Sequence, residues 1–367
     1  MKFSCTQENL NKGLQTVVHL AGKNLTLPIL NNILIETEEG LINLSATNLE
    51  IGIKISVRGK VLEPGKITIP AKTISDYVSL LPKEKIDISL EKDILFLECL
   101  NNKTKIKGVS AEDFPLIPVL KQNYGYVLNK EDLKIAINKT LISCSVDDTR
   151  PEISGVLFAA TDDTLKLVAT DSFRLAEKKI KIKNKIDSEN KIVVPLKTLN
   201  ELLRIIDNSE TSEIKVFLEE NQIMFKQEEI LLISRLIDGQ FPDYEPIIPT
   251  TYKTKIEINK EEIIKAVKLA GLFVKSGIND VNLSFLKNNQ TIISSINNQI
   301  GENKTILESK NEGEENEIVF NYRFFLEGIN SFQGNKIELE MTTSANPALI
   351  KSKEEKEHIY LIMPIRQ

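Results

Sequence analysis

Tryptophan is absent from this 367-residue chain, histidine occurs only as His19 and His358, and cysteine only as Cys5, Cys99 and Cys144. Two histidines cannot build a His-rich metal centre, and His19 and His358, 339 residues apart, lack the close spacing of a Cys2His2 zinc site, so neither is expected. Three cysteines, odd in number and far apart, match reduced thiols rather than a disulfide framework. No run of 18 apolar residues is available to span a bilayer, and the first ten residues, MKFSCTQENL, hold no apolar signal-like stretch, so a cytoplasmic protein is expected. Neither sign of charge dominates: 47 Lys and Arg against 52 Asp and Glu leave a net charge of −5, which confines any polyanion contact to part of the surface. Apolar residues at 41% and charged residues at 27% are otherwise those of a folding chain, and the length predicts two or three domains.

Catalytic signatures are missing too. There is no GxGxxG, HExxH or GxSxG. Gly59–Ile67 looks like a phosphate loop, but five residues separate its glycines instead of four, and Ile67 has no hydroxyl for magnesium; it reads as a surface turn. The pairs Asp147 with Asp148 and Asp162 with Asp163 lie beside turn-forming residues, where adjacent carboxylates are usually solvated. A two-metal site needs further convergent carboxylates that the sequence does not nominate. No metal, cofactor or catalytic residue is expected.

What the chain does contain is an internal repeat. Helical patterns open near Leu10, Leu133 and Ile263, at shifts of 123 and 130 residues, and continue with apolar residues at helical spacing such as Leu133, Ile137 and Leu141. LSATN at Leu44–Asn48 matches LVATD at Leu167–Asp171, again 123 residues on. A second helix in each third follows Thr68-Ile69-Pro70, Val193-Val194-Pro195 or Val319-Phe320-Asn321; Pro suits a first helical turn and Asn suits an N-cap. Asp113-Phe114-Pro115 is repeated as Gln240-Phe241-Pro242. Strands alternate, as in Ile86, Ile88 and Leu90 with polar residues between, which predicts antiparallel sheets covered on one face. The fold class expected is α+β, with three tandem homologous domains over 1–122, 123–249 and 250–367, each carrying two helices on antiparallel sheets.

The six helical windows, 7–20, 71–83, 130–145, 196–206, 259–276 and 321–333, hold 13 Lys or Arg against 8 Asp or Glu, about +5, leaving about −10 for the remainder. Basic helices on an otherwise acidic protein can hold a polyanion on one side and repel it elsewhere, although Lys is also simply a good helix former.

Five segments in order resemble one family: TLPILNN at Thr26–Asn32, RPEISGVLF at Arg150–Phe158, LKLVATDSFRLA at Leu165–Ala176, DGQFPDYEPIIP at Asp238–Pro249 and YLIMPIR at Tyr360–Arg366. With the three-fold repeat and the length, they are similar to the bacterial replicative sliding clamps, the beta subunits of DNA polymerase III. The resemblance implies a DNA clamp fold and a ring-shaped head-to-tail homodimer around duplex DNA, a processivity factor rather than an enzyme. It also implies a pocket that docks short motifs of the replicative polymerase, the clamp loader and repair proteins. Phosphate contacts carry no sequence information, so DNA contact should be sequence-independent.

Carried over, the pocket is Arg150, Ile153, Thr170, Ser172, Phe173, Arg174, Leu175, Pro242, Ile247, Asn321, Phe324, Ala345, Pro347, Leu361, Met363, Pro364, Ile365 and Arg366. Apolar members would take Leu or Phe anchors, and Arg150, Arg174 and Arg366 would take polar or acidic ends. Gln367 stands where family members usually end on an apolar residue. DNA contacts are expected at Lys23, Asn24, Lys72 and Lys197, and a subunit interface at Ile106 against Leu272 and Phe273. Two rival readings are a DNA-processing enzyme using Asp147 and Asp148, and a peptide-binding adaptor without a DNA role.

Overall fold

The computed structural model describes residues 1–22, 26–38, 40–120, 125–147, 149–184, 186, 189–207, 211–275 and 277–366. They form two compact units, Met1–Glu131 with Lys197–Leu236, and Asp132–Leu196 with Ile237–Gln367. The repeats are therefore shared between units, because the large sheets pair strands from neighbouring repeats.

In the first unit an eight-stranded sheet runs in the order Gly125–Asn129, Glu213–Glu219, Gln222–Gln227, Ile230–Arg235, Ile51–Val57, Leu41–Thr47, Asn32–Glu38 and Gly65–Pro70. Its halves join where Ile230 opposes Ile55 and Ser234 opposes Ile51. A five-stranded sheet holds Lys60–Glu63, Lys2–Thr6, Lys85–Glu91, Ile94–Cys99 and, at its open edge, Asn102–Lys107.

The second unit repeats this plan. Its nine-stranded sheet runs Asn190–Pro195, Gly155–Thr161, Thr164–Thr170, Arg174–Lys181, His358–Ile362, Ala348–Lys351, Lys336–Met341, Thr254–Asn259 and Lys310–Gly313, joined where Arg174 opposes Ile362. A four-stranded sheet ends at the edge strand Gly301–Glu308. All paired strands are antiparallel, as the alternating pattern predicts.

Among the described residues the six α-helices are α1 (Gln7–Val17), α2 (Ala71–Leu80), α3 (Lys130–Leu141), α4 (Leu196–Ile206), α5 (Lys260–Ala270) and α6 (Tyr322–Asn330). Thr6 caps α1, Asn259 caps α5 and Asn321 caps α6, the last accepting from Arg323 N and Phe324 N. Five helices are shorter than their sequence windows. The α2 window fails at Leu81, which precedes Pro82 and turns extended. The α5 window fails at Gly271, where a Cβ would lie 3.0 Å from the Tyr322 ring, and a 3-10 turn carries the chain on to Phe273. Pro70 and Pro195 end the preceding strands instead of entering the first helical turn.

Between α5, α6 and one face of the nine-stranded sheet lies a core of Ile263, Val267, Phe320, Phe325, Leu339 and Tyr360. Tyr360 lies flat on α6 at Gly328, where a Cβ would come within 2.3 Å of its ring, and its hydroxyl donates to Phe324 O at 2.9 Å. On the opposite face the strap Ile237–Ile248 plugs Phe241 and Tyr244 against Leu157, Val168, Leu175, Val193, Leu349 and Leu361.

Candidate functional site

The expected pocket residues converge in the second unit around the turn between Thr164–Thr170 and Arg174–Lys181. Asp171 Oδ1 accepts from Phe173 N and Arg174 N, both at 3.0 Å, and Thr170 Oγ1 accepts from Ser172 N at 3.1 Å while donating to Arg174 O at 2.7 Å. These bonds hold Ser172 at φ 76° and push Phe173 outward, 62% exposed. Its ring stacks 6.5 Å from Phe324 on α6. The carboxyl-terminal segment is tied across the turn: Met363 N donates to Phe173 O at 2.8 Å, and Ile365 N to Val319 O at 2.8 Å. Ala348, which follows Pro347, opposes Ile362, which precedes Met363. Arg150 reaches Ser172 Oγ at 2.6 Å and pairs with Glu152. Pro242 and Ile247 project from the strap, and Ala345 is exposed in the loop that precedes Pro347.

Three apolar residues expected to receive anchors are placed differently. Ile153, Leu175 and Leu361 are fully buried in the cluster under the strap, so they floor the site while Phe173, Phe324, Pro242, Ile247, Met363, Pro364 and Ile365 offer its surface. Arg174 is not a free anchor either. Its guanidinium lies 4.1 Å above the Phe324 ring, pairs with Asp171 at 2.8 Å and bonds to Glu327. Burial opposes its charge, but Tyr360, Glu327 and Asp171 outweigh burial and raise its pKa. Arg366 is exposed and makes no hydrogen bond or ion pair among the described residues. Gln367 lies outside the described residues.

A polar cluster missed by sequence reading lies below. Lys139 Nζ from α3 donates to Ser331 O at 2.6 Å and pairs with Glu355 at 2.5 Å, while Lys178 reaches Glu355 at 3.2 Å. Burial raises the Glu355 pKa, but Lys139 and Lys178 overcome that and lower it. His358 closes the cluster, with Nδ1 2.9 Å from Glu177 O and Nε2 2.8 Å from Ser331 Oγ. Its only sequence signal is that a chain with two histidines keeps one here.

Of the DNA candidates, Lys23 and Asn24 lie outside the described residues. Lys197 is exposed at the start of α4 and, with His19, Leu30, Asn48, Ile51 and Asn200, lines a 450 Å³ cleft in the first unit. Lys72 is exposed at the start of α2 and does not line that cleft. At the expected subunit interface Leu272 is 69% exposed, and Phe273 lies beside Gly301, where the edge strand begins. Ile106 is only 7% exposed, turned into its own sheet opposite Leu95; the apolar surface missed nearby in sequence is Leu80 at the end of α2, 86% exposed. Among the described residues no three His, Cys, Asp or Glu side chains gather as metal ligands, Asp147 closes a turn onto Thr149, and no helix is long and apolar enough to cross a membrane. Asp148 lies outside the described residues.

Three tandem repeats of this topology, with an apolar rim between turn, strap and terminal segment, define an α+β clamp. Family models of the DNA polymerase III beta subunit match residues 1–118 with the N-terminal domain, 127–243 with the central domain and 245–366 with the C-terminal domain. The chain belongs to the DNA polymerase III beta subunit family. It is 28% identical to the beta sliding clamp of Bacillus subtilis, with all of both chains covered, and 27% identical to that of Chlamydia pneumoniae, with 100% and 99% covered. The crystal structure of the Bacillus subtilis clamp superposes with a TM-score of 0.95 at 28% identity over 100% of this chain and 99% of that one. A putative beta subunit from Eubacterium rectale gives 0.93 at 31% identity, with the same coverage. The Pseudomonas aeruginosa clamp bound to griselimycin gives 0.94 at 26%, with both chains fully covered.

Proposed function

We propose that this protein is a non-catalytic processivity factor: two copies join head to tail into a closed ring around duplex DNA and tether a polymerase through the peptide pocket. A tether raises the local concentration of the polymerase at its template without making a sequence-specific contact. The observation that carries the reading is the pairing of half-sheets. The fourth strand of one repeat, Ile51–Val57, pairs with the last strand of the next repeat, Ile230–Arg235. Arg174–Lys181 pairs with His358–Ile362 in the same way. The next members of that series are Gly301–Glu308 and Asn102–Lys107, and both stand at open sheet edges. Pairing these two between copies makes a third composite sheet and removes both edges, which otherwise invite uncontrolled association.

The charges suit that match. Asn102–Lys107 carries Lys103, Lys105 and Lys107, whereas Gly301–Glu308 carries Glu302, Lys304 and Glu308. Leu272 and Phe273 flank the acidic strand and Leu80 the basic half, so the subunit joint is apolar at its helix ends. Lys72 and Lys197, with Lys23 and Asn24, serve duplex phosphates, and the location is cytoplasmic, with the DNA. The domains run 1–122, 123–249 and 250–367. Sedimentation tests the ring: Leu272→Ala with Phe273→Ala should give monomers at micromolar concentration, and protein loaded on circular DNA should leave when the circle is cut. A dimer in the double variant, or retention on linear DNA, overturns the reading.

A further inference from the structure

The strap that walls the peptide pocket has a second side. Between Asp238–Glu245 and the sheet lies a groove of 860 Å³, and Pro242 lines it as well as standing on the pocket rim. Its floor is Leu157, Ala159 and Val193. Its sides carry Lys166, Lys191, Glu189, Asp238, Asp243 and Glu245. Lys166 is paired with Glu245 at 3.2 Å, and both lysines help hold the Glu245 pKa down. Asp238, Asp243 and Glu189 are exposed and form no ion pair among the described residues, so against the remaining Lys191 the groove keeps a net charge of about −2. Asn190–Pro195 is also the edge strand of the nine-stranded sheet. Ile237 N occupies Val193 O at 3.0 Å, and the alternation of an antiparallel ladder turns the backbone of Lys191, two residues away, to the same open side.

Resting on the pocket reading above, we propose that the groove seats a basic, extended flank of the same partner segment whose apolar anchor fills the pocket. The flank crosses Pro242, lies along the open edge by Lys191 and sets alternate Lys or Arg side chains against Asp238, Asp243 and Glu189. Adding a strand to a sheet edge supplies backbone bonds, and alternate side chains supply selectivity. The charge also fits the partner class, because proteins that work on DNA carry Lys and Arg for its phosphates. Anchor and flank then do separate work: the anchor fixes register, and the flank separates DNA-working partners from other apolar segments.

The test uses the full chain and five synthetic peptides: a hexapeptide ending in Leu-Phe, and that peptide extended at either end by Lys-Val-Lys-Val or by Glu-Val-Glu-Val. Calorimetry at low salt should show the basic extension, at one end, tightening binding about five- to tenfold over the hexapeptide, with the gain fading in about 0.5 M salt. The acidic extension should not help. Asp238→Lys with Asp243→Lys should abolish the gain and leave hexapeptide binding unchanged; the milder Asp238→Asn with Asp243→Asn should halve it or more. Hexapeptide binding with no gain from either basic extension, or a gain that survives the lysine variant, overturns this inference alone. Absence of hexapeptide binding overturns the pocket reading, and the inference with it.

Discussion

His358 should make the second unit lose stability on mild acidification. Its ring is 1% exposed, lies 4.4 Å from the Phe332 ring and faces Lys139, Lys178 and Glu355. Burial and the two lysines outweigh the Glu177 carbonyl and Glu355 and lower its pKa from 6.5 to about 4. Hydrogen bonding does not forbid the charged ring. Ser331 has one hydroxyl proton for two acceptors, Gly328 O at 2.7 Å and His358 Nε2 at 2.8 Å, so a protonated Nε2 would find an acceptor. The obstacle is electrostatic. Between pH 6.5 and about 4 the unfolded chain takes up the proton and the folded chain does not, so this contribution is complete above pH 6.5 and is lost as the pH falls through that window. The whole effect is on the order of 3 kcal/mol, with about 2 kcal/mol of it lost between pH 7 and pH 5. His358→Asn keeps a donor for Glu177 O and removes the titration, so it should lower stability at pH 7 yet flatten the slope of urea midpoint against pH. Ring-proton NMR reads the same group directly. A His358 signal that titrates at about pH 6 or above, or equal slopes in both proteins, refutes the reasoning.

Glu355→Gln should be more damaging than its size suggests, by about 3–5 kcal/mol in urea unfolding, because it strands Lys139 and Lys178 as buried cations; adding Lys139→Met should recover part of the loss. Removing residues 363–367 breaks the Met363 and Ile365 backbone bonds, for roughly 1–3 kcal/mol together, and deletes one side of the pocket, so sedimentation should still show dimers while polymerase stimulation disappears. Lys72→Glu with Lys197→Glu should reduce loading and sliding on DNA without changing the urea midpoint, since both residues are exposed in first helical turns, where Glu suits the helix dipole.

The repeat and the six helices were legible because each is written locally, in helical spacing, two-residue alternation or a cap. The composite sheets were not. Ile55 and Ile230 lie 175 residues apart and Arg174 and Ile362 lie 188 apart, and no local period marks such partners. The proposed pocket residues were named through the resemblance, but their burial was not legible. Ile153, Leu175 and Leu361 look in sequence like Met363 or Ile247, and only the strap laid over them makes them core. Arg174 reads as a free cation because Glu327, which holds it, lies 153 residues away. Lys139 was counted with the helix charge, yet it is buried against Ser331 and Glu355.

Chemistry at the joints separates those within a chain from the one between chains. In the first unit the Arg204 guanidinium of α4 donates to Gln15 O at 3.1 Å and Thr16 O at 2.6 Å, the last turn of α1. In the second, Lys139 of α3 donates to Ser331 O, just past α6. Both place a cation on the carbonyls at a helix end, where the helix dipole favours it and where the partner group is fixed in direction. Aligning helix starts carries Lys139 onto Leu269 of α5 and Ser331 onto Leu80 of α2, and both leucines are exposed. The proposed subunit joint therefore replaces a buried, directional bond with apolar contact. Opening an internal joint breaks directional bonds to fixed carbonyls and, in the second unit, the Lys139 and Glu355 pair, whereas parting Leu80 from Leu269 only wets two side chains. The energetic asymmetry puts opening at the joint between copies, which is where a ring must open to admit DNA.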